Sequence, residues 1–253
     1  MIGADILLKS LQSEKVKIIF GYPGGVAIPL YDRMKDYPIR HVLPRNEQGA
    51  AMAADAYFRV TGKPGVCLST SGPGATNLVT GIANAYLDSV GMVAITCQVS
   101  STMLGSDAFQ EIDITGITHS ITKQNYFVEN AKDIPRIIKE AFYIAGTGRP
   151  GPVHVDIPVN VLKVEVKTFE YPEKINLPGY NPKKKINHEK IKEAVSLIKK
   201  SLRPIVLAGH GVLISGASAE LKEFIEKNEI PMVNTLLGIG SIPNNHPLHF
   251  GML

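Results

Sequence analysis

Tryptophan is absent from this chain of 253 residues, and cysteine occurs only twice, at Cys67 and Cys97. Both cysteines lie in predicted buried strands, and neither has a histidine or a second cysteine at a spacing that metal sites use. They therefore predict small apolar core residues in a reducing compartment, and they argue against a disulfide framework or a zinc centre.

Long apolar runs and a large excess of charge of one sign are also missing. No uninterrupted apolar stretch approaches the roughly 20 residues that a membrane-spanning helix needs. The first residues run straight into an amphipathic pattern with charges at Asp5 and Lys9, unlike a signal peptide. The net charge of +4 comes largely from local lysine runs at 183–185 and 199–200, which are typical of solvated surfaces. We expect a cytoplasmic protein that binds neither membranes nor nucleic acid.

Short Val- and Ile-rich runs alternate along the chain with helical patterns, which predicts a doubly wound parallel α/β sheet covered on both faces. We assign residues 1–162 to this domain. Residues 163–186 are rich in proline and lysine and predict an irregular linker. Residues 187–253 predict the start of a second Rossmann-like α/β domain, too short to close its sheet, so that the strands 205–207 and 232–233 would be left uncovered.

The individual elements follow from periodicity and from turn residues. The predicted strands are residues 16–20, 41–43, 66–70, 92–97, 126–128, 153–157, 204–208 and 231–234. The predicted helices are residues 28–34, 47–60, 75–87, 134–145 and 187–200, with a further helix ending at Phe224.

Glu47 is the main candidate for a functional residue, because it lies where a predicted strand meets an alanine-rich helix. A glutamate in the first turn of a helix often only complements the helix dipole. Two glycine-bearing turns, 20–25 and 70–77, change this interpretation, because each also follows a predicted strand. Three such junctions in one parallel sheet can line a single crevice at the carboxyl ends of the strands.

His210 stands between two glycines and offers a weaker signal. A solvent-exposed turn histidine explains it better than a ligand contact does. The surrounding glycines lack the full spacing of a dinucleotide-binding fingerprint, so a nicotinamide-binding domain is a distant alternative.

Several motifs resemble acetolactate synthase, also called acetohydroxyacid synthase, a family of thiamine diphosphate enzymes. The glutamate and the Gly-Pro-Gly turn are shared more widely among thiamine diphosphate enzymes, whereas residues 75–86 and 107–111 are typical of this family. The segments that carry the resemblance are residues 21–25, 47–51, 70–77, 75–86, 107–111 and 148–152.

The resemblance implies a pyrimidine-binding domain at the amino terminus and, at residues 187–253, the truncated beginning of a central FAD-associated domain. In the family, a carboxyl group binds N1′ of the aminopyrimidine and favours the imino tautomer, which removes the C2 proton of the thiazolium. Glu47 matches this catalytic residue, and burial must then outweigh the helix N-terminus to favour its protonated form. The other cofactor-binding positions that the resemblance implies are Tyr22, Pro23, Gly24, Gly25, Pro73, Asn77 and, as an FAD contact, Arg149.

The resemblance also places Phe109 and Gln110 beside the substrate, where the Gln110 amide could donate to a developing alkoxide. Without the family, Pro73 and Asn77 would be a plain turn with an Asn cap, and Arg149 could cap a sheet edge or pair with a carboxylate.

The implied cofactors are thiamine diphosphate, Mg²⁺ and FAD, and the implied substrates are pyruvate and a second 2-oxoacid in branched-chain amino acid biosynthesis. The Gly-Asp-Gly region that binds the metal in the family has no counterpart in these residues, so we expect no metal ligands here and no turnover by this chain alone. A homodimer or tetramer, with a regulatory small subunit, is expected by the same resemblance.

Five positions depart from the family pattern. These departures predict drift in substrate choice, flavin affinity or regulation, since Glu47 and Gln110 are retained. The departing residues are Asn46 and Met52, where histidine is usual, His119 for arginine, Gln124 for histidine and Val159 for lysine.

Two alternatives stay open. The first is a related thiamine diphosphate decarboxylase or carboligase, which the products formed from pyruvate would distinguish. The second is a non-catalytic truncated product that can at most pair with another subunit, which the extent of the reading frame would distinguish.

Overall fold

The computed structural model describes residues 1–182 and 185–253, and contacts divide the chain into two units, Met1–Lys183 and Lys184–Leu253. Most of the lysine run at 183–185, and the corresponding part of the predicted linker, lie outside the described residues.

The first unit contains a six-stranded sheet in which every strand pairing is parallel. Its strands are β1 (Ile18–Gly21), β2 (Arg40–Val42), β3 (Gly65–Ser69), β4 (Met92–Gln98), β5 (Gln124–Phe127) and β6 (Pro152–Pro158). Their order across the sheet is β2-β1-β3-β4-β6-β5. Since all strands run the same way, the segments that come directly after them meet at one edge of the sheet.

Helices cover both faces of this sheet, which confirms the predicted doubly wound α/β class. They are α1 (Gly3–Ser13), α2 (Ile28–Met34), α3 (Glu47–Thr61), α4 (Pro73–Asn77), α5 (Val79–Asp88), α6 (Ile114–Thr118), α7 (Ile134–Gly146) and α8 (Val159–Lys163). Short 3₁₀ turns occur at Gly25–Ala27, Ser101–Met103, His119–Ile121 and Ala131–Asp133.

Alternate residues of the central strands enter two separate cores. Val93 and Ile95 of β4 pack in the core that α1 and α7 cover, whereas Met92 and Ala94 pack in the core formed with α3 and α5. Every residue of β3, β4 and β6 is buried. Burial on both faces explains why these strands are largely apolar and why the polar residues that they carry are buried too.

The helix predicted at 75–87 differs from the structure in its start and its continuity. It begins two residues earlier, at Pro73, and a tight turn at Leu78 separates α4 from α5. The Leu78 amide donates to Ala75 O at 3.1 Å, an i to i−3 bond that interrupts the α-helical ladder.

The segment after α8 has no regular helix or strand through residue 182. Its side chains nevertheless pack on the first unit: Val166 is buried in the core of α1 and α7, and Phe169, Leu177 and Tyr180 lie against that core. Residues 164–182 therefore take part in the packing of the first unit, although their backbone is irregular.

The second unit has a three-stranded parallel sheet in the order β7-β8-β9. Its elements are α9 (His188–Lys200), β7 (Val206–Ala208), α10 (His210–Ser215), α11 (Ser218–Asn228), β8 (Met232–Asn234), a 3₁₀ turn (Leu236–Gly238) and β9 (His249–Met252). The third strand was not predicted.

The expected uncovered strand faces of the second unit are found only in part. Ile205 and Leu207 are exposed, whereas Met232 is fully buried against Ala208 and Ile225. The prediction was wrong for Met232 because α11 covers the inner face of β8.

Candidate functional site

Glu47 is the first residue of α3 and lies at the carboxyl edge of the sheet, just beyond β2. Asn46 caps the helix by accepting a hydrogen bond from Gly49 N at 2.9 Å, which fixes where the helix begins. Only 8% of Glu47 is exposed. The cap therefore places a carboxyl group inside the protein at the point where the helix starts.

Asn77, at the end of α4, holds this carboxyl group. Its Nδ2 donates to Glu47 Oε2 at 2.9 Å. The other oxygen, Oε1, faces Gly74, because a Cβ placed on that glycine would lie 3.2 Å from it. One carboxyl oxygen is thus bound by the protein, and the second points toward a glycine surface.

The two glycine-bearing turns meet at Thr70. A Cβ on Gly24 would lie 2.4 Å from Thr70 Cγ2, and a Cβ on Gly74 would lie 2.7 Å from the same atom. Such approaches are possible only without a side chain on either glycine. Thr70 therefore brings the 22–25 turn and the 72–77 turn into contact beside Glu47.

Three hydroxyl groups around this junction are buried without a hydrogen-bond partner in the described part of the chain. They belong to Tyr31, Thr70 and Ser71. Burial, with the nearby Glu47 carboxyl contributing, raises the pKa of the Tyr31 phenol. Buried polar atoms are normally paired, so several unpaired hydroxyls near one carboxyl group are typical of a site that receives a polar ligand.

Gln110 contacts the same junction through its backbone. A Cβ on Gly72 would lie 2.7 Å from Gln110 O, and both residues have left-handed backbones, with φ of 56° and 58°. Phe109 is 87% exposed. Tyr22 and Pro23 are also exposed, at the surface of the neighbouring turn.

The structure does not bring Arg149 to this junction. Arg149 precedes β6 and therefore lies at the amino edge of the sheet, opposite the edge that carries Glu47. Its Nε donates to Ser89 Oγ at 2.6 Å, and one terminal nitrogen donates to Leu87 O at 3.2 Å. Arg149 thus ties the end of α5 to the start of β6.

The residues that depart from the family pattern have separate surroundings. Asn46 is the helix cap, Met52 is half-buried in α3, and His119 and Gln124 are exposed. Val159 begins α8, directly after the carboxyl end of β6.

A second cluster of polar groups is buried between β4 and β6, and sequence analysis did not identify it. Its atoms are paired: Asp156 accepts from Thr96 Oγ1 at 2.6 Å and from Gln98 Nε2 at 3.1 Å. His154 lies between Thr96 Oγ1 at 2.8 Å and Thr118 Oγ1 at 3.1 Å. The signal for it was polar residues at alternate positions of apolar strands, which bury polar groups only when these are paired.

Burial sets the protonation of both ionisable groups in this cluster. It lowers the pKa of His154 to about 3 and raises that of Asp156 to about 7. The hydroxyl of Thr96 and the amide of Gln98 act against the second shift, and Asp113 adds to it.

No group of three or more His, Cys, Asp or Glu residues suited to a metal ion occurs among residues 1–182 and 185–253. Within the same residues, no helix combines the length and the apolar character needed to cross a membrane.

Models of two domains of one enzyme family match this chain, one at each end. The family described as thiamine pyrophosphate enzyme, N-terminal TPP binding domain, matches residues 1–117. Its central domain matches residues 191–253. The chain belongs to the thiamine pyrophosphate enzymes. Glu47 and both glycine turns fall within the N-terminal match.

Curated relatives narrow the likeness to one branch of this family. The chain is 51% identical to the probable acetolactate synthase large subunit of Methanocaldococcus jannaschii, over 100% of this chain and 43% of the relative. It is 51% identical to the acetolactate synthase large subunit of Corynebacterium glutamicum, over 100% and 40%. For that of Lactococcus lactis subsp. lactis the values are 47%, 99% and 44%. The chain thus spans about two fifths of the length of these relatives.

Proposed function

We propose that this chain supplies the pyrimidine-binding part of an enzyme that uses thiamine diphosphate to condense pyruvate with a second 2-oxoacid, giving acetolactate or acetohydroxybutyrate. The observation that carries the proposal is the buried Glu47 carboxyl, held on one oxygen by Asn77 and open on the other toward Gly74.

The residues around Glu47 fit an aromatic ring that carries polar nitrogens. Gly24 and Gly74 leave backbone surface where a flat ring could approach, and the unpaired hydroxyls of Thr70 and Ser71 offer hydrogen-bonding groups. We assign Glu47, Gly24, Gly74 and Asn77 to holding the aminopyrimidine, with Tyr22, Pro23, Gly25 and Pro73 at its border.

When bound, thiamine diphosphate supplies the carbanion chemistry that joins two 2-oxoacids. The protein's part is to place the ring and to manage a proton. Asn77 fixes the carboxyl rotamer, so that Oε1 of Glu47 is the oxygen left to share a proton with a ring nitrogen. Burial keeps water from competing for that proton.

The substrate assignment rests on Gln110 and Phe109, whose segment contacts Gly72 beside the same junction of turns. A glutamine amide at this position can donate to an oxygen that gains negative charge during reaction. Phe109, which is exposed, would then border the substrate entrance.

Partner subunits belong to the proposal because the relatives are named as large subunits. Mg²⁺ and FAD belong to it through the family resemblance of the sequence alone. We place the metal ligands outside the described residues. The Arg149 side chain already donates to Ser89 and Leu87, so this geometry does not fit a free FAD contact and we route no step through it. A homodimer or tetramer with a small subunit is the proposed assembly, and the two buried free cysteines fit a cytoplasmic location.

The test is the exchange of the cofactor's C2 proton in protein expressed from its whole reading frame with thiamine diphosphate and Mg²⁺. Glu47→Gln keeps the shape of the side chain but cannot share a carboxyl proton, so exchange should slow by about 100-fold or more. Gln48→Ala, the exposed neighbour on the same turn, should leave the rate unchanged. An unaltered rate in Glu47→Gln would refute the proposal. Acetaldehyde in place of acetolactate from pyruvate would assign the chain to a decarboxylase instead.

A further inference from the structure

The segment that carries Phe109 and Gln110 has few connections to the sheet. It leaves β4 after Gln98 and reaches α6 at Ile114, and residues 101–107 are exposed. Within it, the Glu111 carboxylate accepts from the amides of Gly105 and Ala108, so this turn is closed on itself. Beyond the contact of Gln110 with Gly72, hydrogen bonds at its two ends connect it to the rest of the first unit.

The two ends are anchored differently. At the start, Ser101 N donates to Asn160 Oδ1 at 2.9 Å, and Asn160 Nδ2 donates to Ser101 Oγ at 3.0 Å, both at exposed positions. At the other end, Gln98 Nε2 donates to Ile112 O at 2.8 Å from a side chain that is 2% exposed. The buried anchor is the one that lies two residues from Gln110.

The Gln98 amide can take only one orientation. Its Nε2 also donates to Asp156 Oδ2 at 3.1 Å, while its Oε1 accepts from Val99 N at 3.0 Å. Flipping the amide would set its oxygen against the Asp156 carboxyl and Ile112 O, and its NH₂ against the Val99 N–H. Three hydrogen bonds would be lost in a buried place, where unpaired polar groups are strongly unfavourable.

Asp156 is itself fixed by the sheet. It lies opposite Thr96 in the register of β4 and β6 and accepts a hydrogen bond from that hydroxyl at 2.6 Å. In the described residues no lysine or arginine pairs with this carboxyl, and Asp113 is the charged group whose effect reaches it. Its two oxygens serve as acceptors for Thr96 and Gln98, which makes it a rigid link between strand and loop.

We propose that Gln98 and Asp156 are positioning residues that, through Ile112, hold Gln110 against Gly72 beside the Glu47 carboxyl. The assignment of what Gln110 does there rests on the proposed function, whereas the mechanical link stands on the contacts alone. The pair acts through Gln110 and does not touch the ligand.

Amide hydrogen exchange of the chain, followed by mass spectrometry, tests the link without any cofactor. Gln98→Met keeps the length of the side chain but removes its donors and its acceptor. Exchange in the peptide 104–114, which contains the bonded amides of Ala108, Glu111 and Ile114, should rise about 10-fold, while α3 and β3 keep their protection. Asn160→Ala is the matched control, because it frees only the other end and should leave residues 108–114 unchanged.

An unchanged 104–114 peptide in Gln98→Met would overturn the proposal, and so would equal acceleration across α3 and β3, which would mean a general loss of stability. Asp156→Leu, which removes the acceptor that orients Gln98, supplies a second variant and should accelerate the same peptide.

Kinetics of the protein from its whole reading frame add a readout that general core damage would not reproduce. If Gln98 acts through Gln110, adding Gln98→Met to Gln110→Ala should lower kcat/KM by less than about 2-fold further, since coupled residues are not additive. Additive losses would contradict the link. Failure of the C2 exchange test with the exchange pattern intact would refute the proposed function and leave this inference standing.

Discussion

Two groups of buried polar side chains lie on the same sheet and differ in how they are satisfied. Around Glu47, the hydroxyls of Tyr31, Thr70 and Ser71 are left without partners in the described part of the chain. Around Asp156, hydrogen-bond partners for the carboxyl group and for the imidazole of His154 are supplied by the protein, from β4 and α6. An unpaired buried group is unfavourable in a free protein, so the first group fits the ligand site that we propose.

This difference matches the two roles that we propose: the groups around Glu47 bind a ligand, and those around Asp156 position a loop. A site that receives a ligand keeps hydrogen-bonding groups free and removes side chains, as Gly24 and Gly74 do. A cluster that fixes a backbone uses its groups on one another, so that its geometry does not depend on a ligand. Three experiments can test whether the two clusters really differ in this way.

The largest effect concerns how stability depends on pH. The native state keeps a proton on Asp156, with a pKa raised from 3.8 to about 7, that the unfolded state gives up, so this group makes stability fall as pH rises through that range. In the native state the pKa of His154 is lowered from 6.5 to about 3, so its ring stays neutral where the unfolded state binds a proton. This group therefore makes stability fall as the pH drops through that range. Between about pH 4 and 6.5 the two slopes oppose each other and nearly cancel.

Replacing one of these two groups should reveal the pH dependence of stability that the other contributes. Relative to the wild type, Asp156→Asn should gain about 3 kcal/mol in the free energy of unfolding from pH 4 to pH 6.5, and His154→Gln should lose a similar amount. Urea unfolding at several pH values measures both. Parallel curves for all three proteins would show that the cluster does not hold these protonation states.

The second experiment makes one substitution in both clusters. Thr96→Val leaves the Asp156 carboxyl and the His154 ring each short of a partner and should destabilise the chain by about 1–3 kcal/mol. Thr70→Val removes a hydroxyl that has no partner in the described residues and should be neutral, or stabilising by about 0.5 kcal/mol. Equal losses at the two positions, measured by chemical denaturation, would remove the distinction between the clusters.

The third experiment tests whether the glycines leave space or merely allow a turn. Gly74→Ala would set a Cβ 2.7 Å from Thr70 Cγ2 and 3.2 Å from Glu47 Oε1, and should cost about 1–2 kcal/mol. Gly25→Ala, where a Cβ meets nothing within 4 Å, is the control and should change stability by less than about 0.5 kcal/mol. If both variants are equally stable, Gly74 is not needed for close contact.

Much of the first unit could be predicted from periodicity, because burial on both faces leaves a direct mark on composition. The strand predicted at 92–97 is β4 at Met92–Gln98, and the helix predicted at 47–60 is α3 at Glu47–Thr61. β9 was missed, since its sequence His249–Met252 carries exposed and half-buried residues in a pattern that does not separate strand from loop.

The site was predictable in part for a similar reason. Glu47 and the two glycine turns come after strands, and parallel topology brings such segments together. The contact of both glycines with Thr70, and the paired groups around Asp156, depend on distances across the sheet that no local pattern contains. Arg149 is the opposite case, because its motif predicted a cofactor contact. In the structure it lies at the amino edge of the sheet, away from Glu47, and donates hydrogen bonds to Ser89 and Leu87.

The turn closed by Glu111 has one more consequence, for how such a protein can diversify. Its exposed stretch from Met103 to Asp107 makes its hydrogen bonds within the turn, while the buried anchor at Gln98 lies outside it. Exchanges of residue type in that stretch can therefore alter an exposed surface and leave the buried surroundings of Glu47 undisturbed. Under the proposed function, this stretch would tolerate variation best.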